Sequence, residues 1–246
     1  MPPRRRSILL DRLESGTPGR PQQAILDELR RVILSGAVPP GTPIPVPEVA
    51  ELFGVSRIPI RESLKTLIGE GLVDHRRNHG YTVARLTAAE LREMYLVRET
   101  LETAALTAAV ALATEADHAH AAWVHARLER AVADDDPHTY HRESREFHLA
   151  LAGPSRMHRL LHMLESAWNI TEPVQSMVHV SAAQRTVLHA EHERMLTAFL
   201  ARDTPGLLAA ADAHNHRLDS VIATLPADAG LLTPEDIPIG KPTGNT

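Results

Sequence analysis

Three cationic residues at regular spacing are the first candidates for chemistry in this sequence. Arg57, Arg61 and Lys65 follow one another at intervals of four residues, so on a helix they form one stripe. A neighbouring apolar stripe could pack the same helix onto the rest of a domain, and it consists of Ile60, Leu64 and Leu67. A helix of this kind suits the major groove of DNA, where arginine can bind guanine through two hydrogen bonds or contact phosphate.

The residues before this stripe predict the helices that must position it. A helix with Ile25, Leu29 and Val32 on one face ends at Ser35-Gly36, and a proline-rich connection follows. A second, shorter helix is predicted from Pro47 to Phe53. The sequence Gly54-Val55-Ser56 then makes a tight turn, and Ser56 is placed to cap the third helix. This order indicates a helix-turn-helix.

The residues after the stripe predict a β-hairpin with a basic tip. Val73 and His75 alternate as in a strand, as do Tyr81 and Val83, and residues 76–80 (Arg-Arg-Asn-His-Gly) form the turn between them. A two-stranded hairpin directly behind a helix-turn-helix is typical of a winged helix, and its basic tip would lie against the DNA backbone or in the minor groove.

The charge of the 246-residue chain is divided unevenly. The formal net charge is -5, yet the first 85 residues carry 13 Lys and Arg against nine Asp and Glu, and 13 of the 15 histidines come later. A basic smaller part joined to an acidic larger part indicates two domains with different partners. We expect a disordered basic arm at residues 1–20, a DNA-binding domain at 21–85, a second domain at 86–225 and a flexible tail at 226–246.

Composition excludes several classes of protein. The chain has no cysteine, so disulfides, cysteine nucleophiles and thiolate metal sites are excluded. No segment has the length of a membrane span or of a signal-peptide core, which makes a soluble cytoplasmic protein the expectation. We expect no enzyme, because no HExxH arrangement and no nucleophile motif accompanies the histidines.

The second part of the chain is predicted to be almost wholly helical. Six helices are expected at residues 87–113, 115–133, 138–152, 157–171, 182–202 and 205–225, with Asp- and Pro-containing breaks between them. Short connections favour an antiparallel bundle. Arg98 lies on the predicted inward face of the first of these helices. We expect His118, His120, His125 and His138 at the surface.

The first domain resembles the DNA-binding domain of the GntR family of bacterial transcription regulators. The resemblance rests on the segments VILSGAVPPGTPI, VAELFGVSRIPIRESLKTLIGEGLV and HGYTV. It implies a dimer that binds a pseudo-palindromic operator in double-stranded DNA, with Arg57 and Arg61 as the main contacts. The DNA-binding residues implied are Ser56, Arg57, Ile58, Pro59, Arg61, Lys65, His79 and Gly80. Ile58 stands where a threonine is frequent in the family, and Pro47 where some members carry an arginine.

The second domain resembles the helical FCD effector domain found in one branch of that family. The matching segments are MYLVRETLETAALTAA, REFHLALAG, EHERMLTAFLARD and AHNHR. The resemblance implies a divalent transition metal (Zn, Ni, Mn or Fe) bound by His148, His192 and His214. It also places Ser144 where a metal-ligating Asp or Asn is usual, and a neutral hydroxyl is a poor ligand. His141 could compensate, and His189 or His216 could replace a ligand if the register differs.

The resemblance leaves three interpretations of the second domain open. In the first, a small carboxylate effector binds near the metal, with Arg98, Ser144, His148, His192 and His214 around it. In the second, the histidines bind an anionic effector without a metal. In the third, metal and effector binding have been lost and the chain is a constitutive DNA-binding dimer. Arg98 is either a clamp for an effector carboxylate or a partner of Glu102 in a salt bridge.

Overall fold

A computed structural model describes residues 7–14, 21–226 and 229–233 of the chain. These residues form a winged helix-turn-helix domain followed by an all-helical antiparallel domain, as predicted. None of the helices in this part of the chain combines the length and apolar composition that a membrane-spanning helix needs.

Within the described residues, the winged helix has four helices and a small antiparallel sheet. The helices are α1 (Ile8–Arg12), α2 (Gln22–Leu34), α3 (Val46–Phe53) and α4 (Arg57–Gly69), and the strands are β1 (Pro43–Ile44), β2 (Val73–Arg76) and β3 (Gly80–Val83). The strand order is β1-β3-β2, with Ile44 opposite Tyr81 and His75 opposite Tyr81 from the other side. The hairpin was expected from the sequence, whereas the third strand, β1, was not.

The turn between α3 and α4 depends on Gly54. This residue has a φ of 63°, a left-handed conformation that costs glycine little. Its amide donates to Glu51, and the amide of Val55 donates to Ala50, so the end of α3 is closed by backbone hydrogen bonds. The turn allows α4 to pack Ile60, Leu64 and Leu67 into the core, which leaves its opposite face exposed.

The expectation of a disordered arm at residues 1–20 is wrong for residues 7–14. Leu9, Leu10 and Leu13 are buried in the same core as α2 and α3, and the hydroxyl of Ser7 donates to the carbonyl of Pro43 at 2.6 Å. Burial of three leucines compensates for the weakness of a five-residue helix. The cluster Arg4-Arg5-Arg6 and residues 15–20 lie outside the described residues.

The second domain contains the six predicted helices, with ends close to those expected. They are α5 (Ala88–Leu112), α6 (Glu115–Ala133), α7 (Pro137–Ala152), α8 (His158–Thr171), α9 (Ala182–Leu200) and α10 (Thr204–Ile222). Three short 3₁₀ segments, at Gly153–Ser155, Glu172–Val174 and Ser176–His179, were not predicted. Leucine, alanine and valine dominate the core. His118 is buried beside Phe199, at 5.2 Å between ring centroids, so the expectation of a surface position is wrong there.

The described part of the predicted tail does not extend freely from the bundle. The amide of Leu232 donates to the carbonyl of Leu86 at 2.7 Å, and Arg85 donates to the carbonyls of Gly230 and Leu231 at 3.4 and 3.0 Å. Residues 229–233 therefore pack against the connection between the two domains, which corrects the expectation of a flexible tail for these residues. Residues 227–228 and 234–246 of the expected tail lie outside the described part.

Candidate functional site

The exposed face of α4 carries the cationic stripe. Arg57, Arg61 and Lys65 are all exposed. Lys65 forms an ion pair with Glu62 at 2.8 Å, and the pKa of Lys65 is raised by that contact. Arg57 and Arg61 have no salt-bridge partner among the described residues. Their guanidinium groups are therefore available to phosphate or to base edges.

The first turn of α4 differs in detail from the expectation. Ser56 occupies the N-cap position, but its side chain makes no capping hydrogen bond, so the predicted cap is wrong in that respect. The Ser56 hydroxyl is exposed beside Arg57. Ile58 is 70% exposed and Pro59 is half-buried, which places an apolar side chain on the same surface as the arginines.

The wing extends this surface. The turn between β2 and β3 is closed by a hydrogen bond from the amide of His79 to the carbonyl of Arg76 at 3.0 Å. Arg76, Arg77, His79 and Gly80 are all exposed. The structure thus displays the predicted wing-tip residues in a basic turn that protrudes from the domain.

Three buried histidines meet inside the helical domain. His148 on α7, His192 on α9 and His214 on α10 each present a ring nitrogen within 4.8 Å of the others. The Nε2 atoms of His148 and His192 are 3.2 Å apart. Two nitrogen ligands of one tetrahedral zinc ion are separated by about 3.3 Å, given Zn–N bonds of about 2.05 Å. The spacing and the all-nitrogen donor set therefore fit a divalent transition metal.

The protonation of His192 and His214 favours metal binding. Burial, reinforced by the neighbouring His214 and His148, lowers the pKa of His192 well below its ordinary value. Burial also lowers the pKa of His214, although Glu191 opposes this shift. Neutral imidazole is the form that binds a metal ion, so burial leaves these rings ready to act as ligands near neutral pH.

Two buried carboxylates orient the histidine rings from outside. An oxygen of Glu102 on α5 lies 2.5 Å from Nδ1 of His148, and an oxygen of Glu191 lies 3.4 Å from Nδ1 of His214. Burial is the largest single influence on the pKa of Glu102 and would raise it, but the contact with His148, together with the charges of Arg98 and His214, lowers the pKa overall. Glu191 also accepts a hydrogen bond from Arg217. Carboxylates in this position commonly fix the tautomer and orientation of metal-binding histidines.

Among the described residues, His141 is not part of the group of converging ligand atoms. Ser144 is buried and lines the same cavity, one helical turn before His148. His141 also lines the cavity, where its Nε2 contacts Glu172 at 3.2 Å. The alternative histidines are directed elsewhere: His189 stacks on His125 at 4.7 Å, and His216 is exposed and bonded to Asp212.

Arg98 is buried in the wall of the cavity without a carboxylate in ion-pair distance among the described residues. The expected salt bridge with Glu102 is therefore absent there, because Glu102 contacts His148 instead. The guanidinium carbon of Arg98 lies 3.0 Å from the ring centroid of Trp168 and 4.4 Å from that of Tyr95. Its Nη1 donates to Thr171 at 3.4 Å, and its Nε has no hydrogen-bond partner in the part of the chain that the structure describes. Burial lowers the pKa of Arg98, although Tyr95 and the carboxylates of Glu102 and Glu172 oppose the shift.

The cavity between these side chains is small in this conformation. Its free volume is about 20 Å³, room for one water molecule or one ion. An organic acid could enter only if a lining side chain moved, and Arg98 is held there by stacking on Trp168 and by its hydrogen bond to Thr171 rather than by an ion pair. The arrangement can therefore hold a metal ion and present a cation to a carboxylate beside it.

Family models match both domains. A model described as bacterial regulatory proteins, gntR family, matches residues 21–83, and a model described as FCD domain matches residues 93–217. The two matches coincide with the winged helix and with the helical domain that holds the three histidines.

Individual relatives agree with these matches. The HTH-type transcriptional regulator YdhC of Bacillus subtilis is 27% identical over 173 residues, which cover 69% of this chain and 76% of YdhC. The HTH-type transcriptional repressor RspR of Escherichia coli is 36% identical over 93 residues, or 38% of this chain and 41% of RspR. The solved structure of Escherichia coli McbR/YncC superposes with a TM-score of 0.72 at 23% identity, covering 82% of this chain and 96% of that one. This last similarity concerns the fold.

Proposed function

This chain belongs to the GntR family of bacterial regulatory proteins and carries an FCD domain, and we propose that it is a ligand-responsive repressor. Family membership and fold make it a DNA-binding transcription regulator and not an enzyme. Repression is proposed because similar proteins are named repressors, among them RspR. Since its operator is in bacterial DNA, the protein would act in the cytoplasm.

The DNA-binding surface supports the first part of the proposal. Arg57 and Arg61 on α4 would contact base edges or phosphates in the major groove, and the wing tip with His79 and Gly80 would lie along the backbone. Lys65 would also contact a phosphate, which would replace Glu62 as its ion-pair partner. A symmetric dimer would place two such surfaces on a pseudo-palindromic operator. The acidic helical domain would be repelled by DNA, which leaves the basic domain to make the contacts.

The observation that carries the second part is the convergence of His148, His192 and His214 beside an unpaired, buried Arg98. The three imidazoles would hold a divalent transition metal, which when bound would supply positive charge and open coordination positions. Arg98 would bind the carboxylate of a small organic acid through two charge-assisted hydrogen bonds, with Ser144 and His141 completing the pocket wall. The effector would then alter operator affinity by favouring one conformation of the dimer over another.

Metal analysis tests the histidine site directly. Purified protein would be treated with a chelator, reloaded with zinc and passed over a desalting column before its metal content is measured. We expect about one zinc ion per chain in the parent and loss of stoichiometric zinc in His192→Ala. The exposed His216 provides the matched control, because His216→Ala should retain the metal. Equal zinc content in His192→Ala and the parent would contradict the site.

Ligand screening tests the effector. A panel of mono- and dicarboxylic acids would be screened by thermal shift with zinc-loaded protein, since a ligand at 100 times its Kd raises the free energy of unfolding by about 2.7 kcal/mol. Arg98→Met keeps the apolar length of the side chain and removes the charge, so it should abolish the shift. Hits should also change binding to an operator duplex selected from a random library by the parent protein. A panel without hits would favour the alternative, a constitutive DNA-binding dimer whose second domain has lost effector binding.

A further inference from the structure

One short segment contacts both the histidine cavity and the DNA-binding domain. It comprises residues 170–175, which we call the coupling segment: the last two residues of α8, the 3₁₀ turn Glu172–Val174 and Gln175. Four of its six residues, from Thr171 to Val174, are buried. Because the coupling segment lies between the two sites, a displacement at the cavity can reach the DNA-binding domain through it.

On the cavity side, the coupling segment is held by charged groups that line or adjoin the cavity. The Nη1 of Arg98 donates to the Thr171 hydroxyl at 3.4 Å. Glu172 contacts Nε2 of His141 at 3.2 Å and Nη1 of Arg145 at 3.6 Å. A ligand that moves Arg98 must therefore shift its contact with Thr171, and one that moves His141 must shift its contact with Glu172.

On the DNA-binding side, the segment packs against two glycines. Gly36 follows α2, and a Cβ atom built there would lie 2.3 Å from Cγ and Cδ of Gln175. Gly71 follows α4, and a Cβ atom there would lie 3.2 Å from Cγ1 of Ile170. The side chains of Gln175 and Ile170 therefore lie directly on the backbone at the ends of α2 and of the DNA-binding helix α4.

Hydrogen bonds within the coupling segment join its two sides, so one side cannot move without straining or breaking those bonds. The backbone amide and the side-chain Nε2 of Gln175 both donate to the carbonyl of Glu172, each at 3.0 Å. Gln175 itself has a φ of 49°, which a residue with a side chain adopts only when its surroundings hold it there. Packed interiors of this kind shift between discrete arrangements instead of deforming gradually.

We propose that Gln175 and Ile170 are positioning residues that couple the state of the cavity to the orientation of α2 and α4. The proposal rests on the function proposed above, because it needs a ligand that acts at the cavity. When Arg98 or His141 moves toward a ligand, Thr171 and Glu172 follow, Gln175 shifts on Gly36, and Ile170 shifts on Gly71. The contacts of Arg85 with residues 230 and 231 join the domains elsewhere and involve no residue that lines the cavity.

The test compares chelated with zinc-loaded full-length protein, using zinc alone as the probe. Operator affinity would be measured for the parent, Gln175→Ala, Ile170→Ala and the control Gln23→Ala, whose glutamine is exposed on α2. We expect the zinc-loaded and chelated Kd values of the parent to differ roughly 5- to 150-fold. The ratio should fall toward one in Gln175→Ala and Ile170→Ala and stay at the parent value in Gln23→Ala. All variants should still bind zinc. A ratio of Kd values near one in a variant that binds zinc therefore indicates lost coupling and not a general loss of structure.

Amide hydrogen exchange gives a second measurement that needs no metal. His141→Phe removes the nearer of the two charged partners of Glu172 and should alter exchange at residues 34–38 and 69–73. The alteration at residues 34–38 should disappear when Gln175→Ala is added, and the alteration at residues 69–73 should disappear when Ile170→Ala is added. Parent-like zinc ratios in both coupling variants would overturn the proposal, and if bound zinc leaves the parent ratio at one, hydrogen exchange decides the coupling. Failure of the parent to bind zinc would instead contradict the proposed function, and hydrogen exchange would then decide the coupling alone: unchanged exchange in His141→Phe would overturn it.

Discussion

Replacement of Glu102 by glutamine should weaken zinc binding by the three histidines while leaving the fold intact. The carboxylate lies 2.5 Å from Nδ1 of His148, which keeps the proton on that nitrogen and leaves Nε2 free, 3.2 Å from Nε2 of His192. A glutamine amide can donate to Nδ1 instead, and the ring proton would then move to Nε2 and block the ligand atom. Loss of a carboxylate that orients a metal-binding histidine costs about 10- to 100-fold in affinity.

The expected size of the effect can be converted into a thermal-stability measurement. Zinc at 100 times the parent's Kd should raise the parent's free energy of unfolding by about 2.7 kcal/mol. At the same zinc concentration, a 10- to 100-fold weaker site should be stabilised by only about 1.4 to 0.4 kcal/mol. For a chain of this size, the zinc-induced rise in Tm should therefore shrink by roughly 3–9 °C.

Two controls make the Glu102 experiment decisive. Glu93→Gln removes an exposed carboxylate from the same helix and should leave the zinc-induced shift unchanged. Direct titration with a competing chelator should give a weaker zinc Kd for Glu102→Gln, which excludes a change in stability alone. A zinc Kd equal to that of the parent would refute the argument that Glu102 fixes the tautomer of His148.

Three further predictions concern DNA binding, pH and the amino-terminal helix. Arg57→Ala should cost about 1–3 kcal/mol in binding to the selected operator by fluorescence anisotropy, whereas Arg92→Ala on α5 should cost little; unchanged affinity would contradict the docking of α4. In metal-free folded protein, the pKa values of His192 and His214 are lowered. As the pH falls below about 6.5, these two histidines therefore become protonated in the unfolded chain before they do in the folded chain. The free energy of unfolding should therefore fall by up to about 1.4 kcal/mol per pH unit for each histidine. In His192→Leu, urea titrations at several pH values should show a free energy of unfolding that depends less steeply on pH. Leu9→Ala should destabilise the winged helix by about 2–5 kcal/mol, and an unchanged urea midpoint would contradict the burial of α1.

The helices of the second domain were predictable because their ends are encoded locally. Thr87, Thr114 and Ser181 each form a capping box with the residue three positions later, and Asp203 caps α10 through the amide of Gly206. Such signals operate within a few residues, so they can be recognised in a sequence without knowledge of the fold. The agreement of the predicted and observed helix ends follows from this local coding.

Elements that depend on distant partners were missed for the opposite reason. The helix α1 has only five residues, and Leu9, Leu10 and Leu13 become informative only once the core that receives them is known. The strand β1 is two residues long and exists because Pro43 and Ile44 pair with β3, almost 40 residues later. Neither segment has enough periodicity of its own to indicate a structure.

The candidate metal centre was predictable in part. The three histidines were placed by resemblance, and the structure brings their rings together. The role of Glu102 could not be inferred, because it contacts a histidine 46 residues away. One signal was present: Arg98 and Glu102 are four residues apart and face inward together. That spacing favours an ion pair between the two residues. In the structure, however, Arg98 stacks on aromatic rings and the Glu102 carboxylate contacts His148.

The charges around the cavity argue that metal and effector bind together. Arg98, Arg145 and Arg217 carry three positive charges, and Glu102, Glu172 and Glu191 carry three negative ones, so these groups balance without a metal. A divalent metal ion held by neutral imidazoles would add two positive charges to a region with little water. A carboxylate would offset part of that excess and would also provide Arg98 with the anion that it lacks. The metal and the organic acid should therefore each raise the affinity of the other, and linkage requires that the two factors be equal.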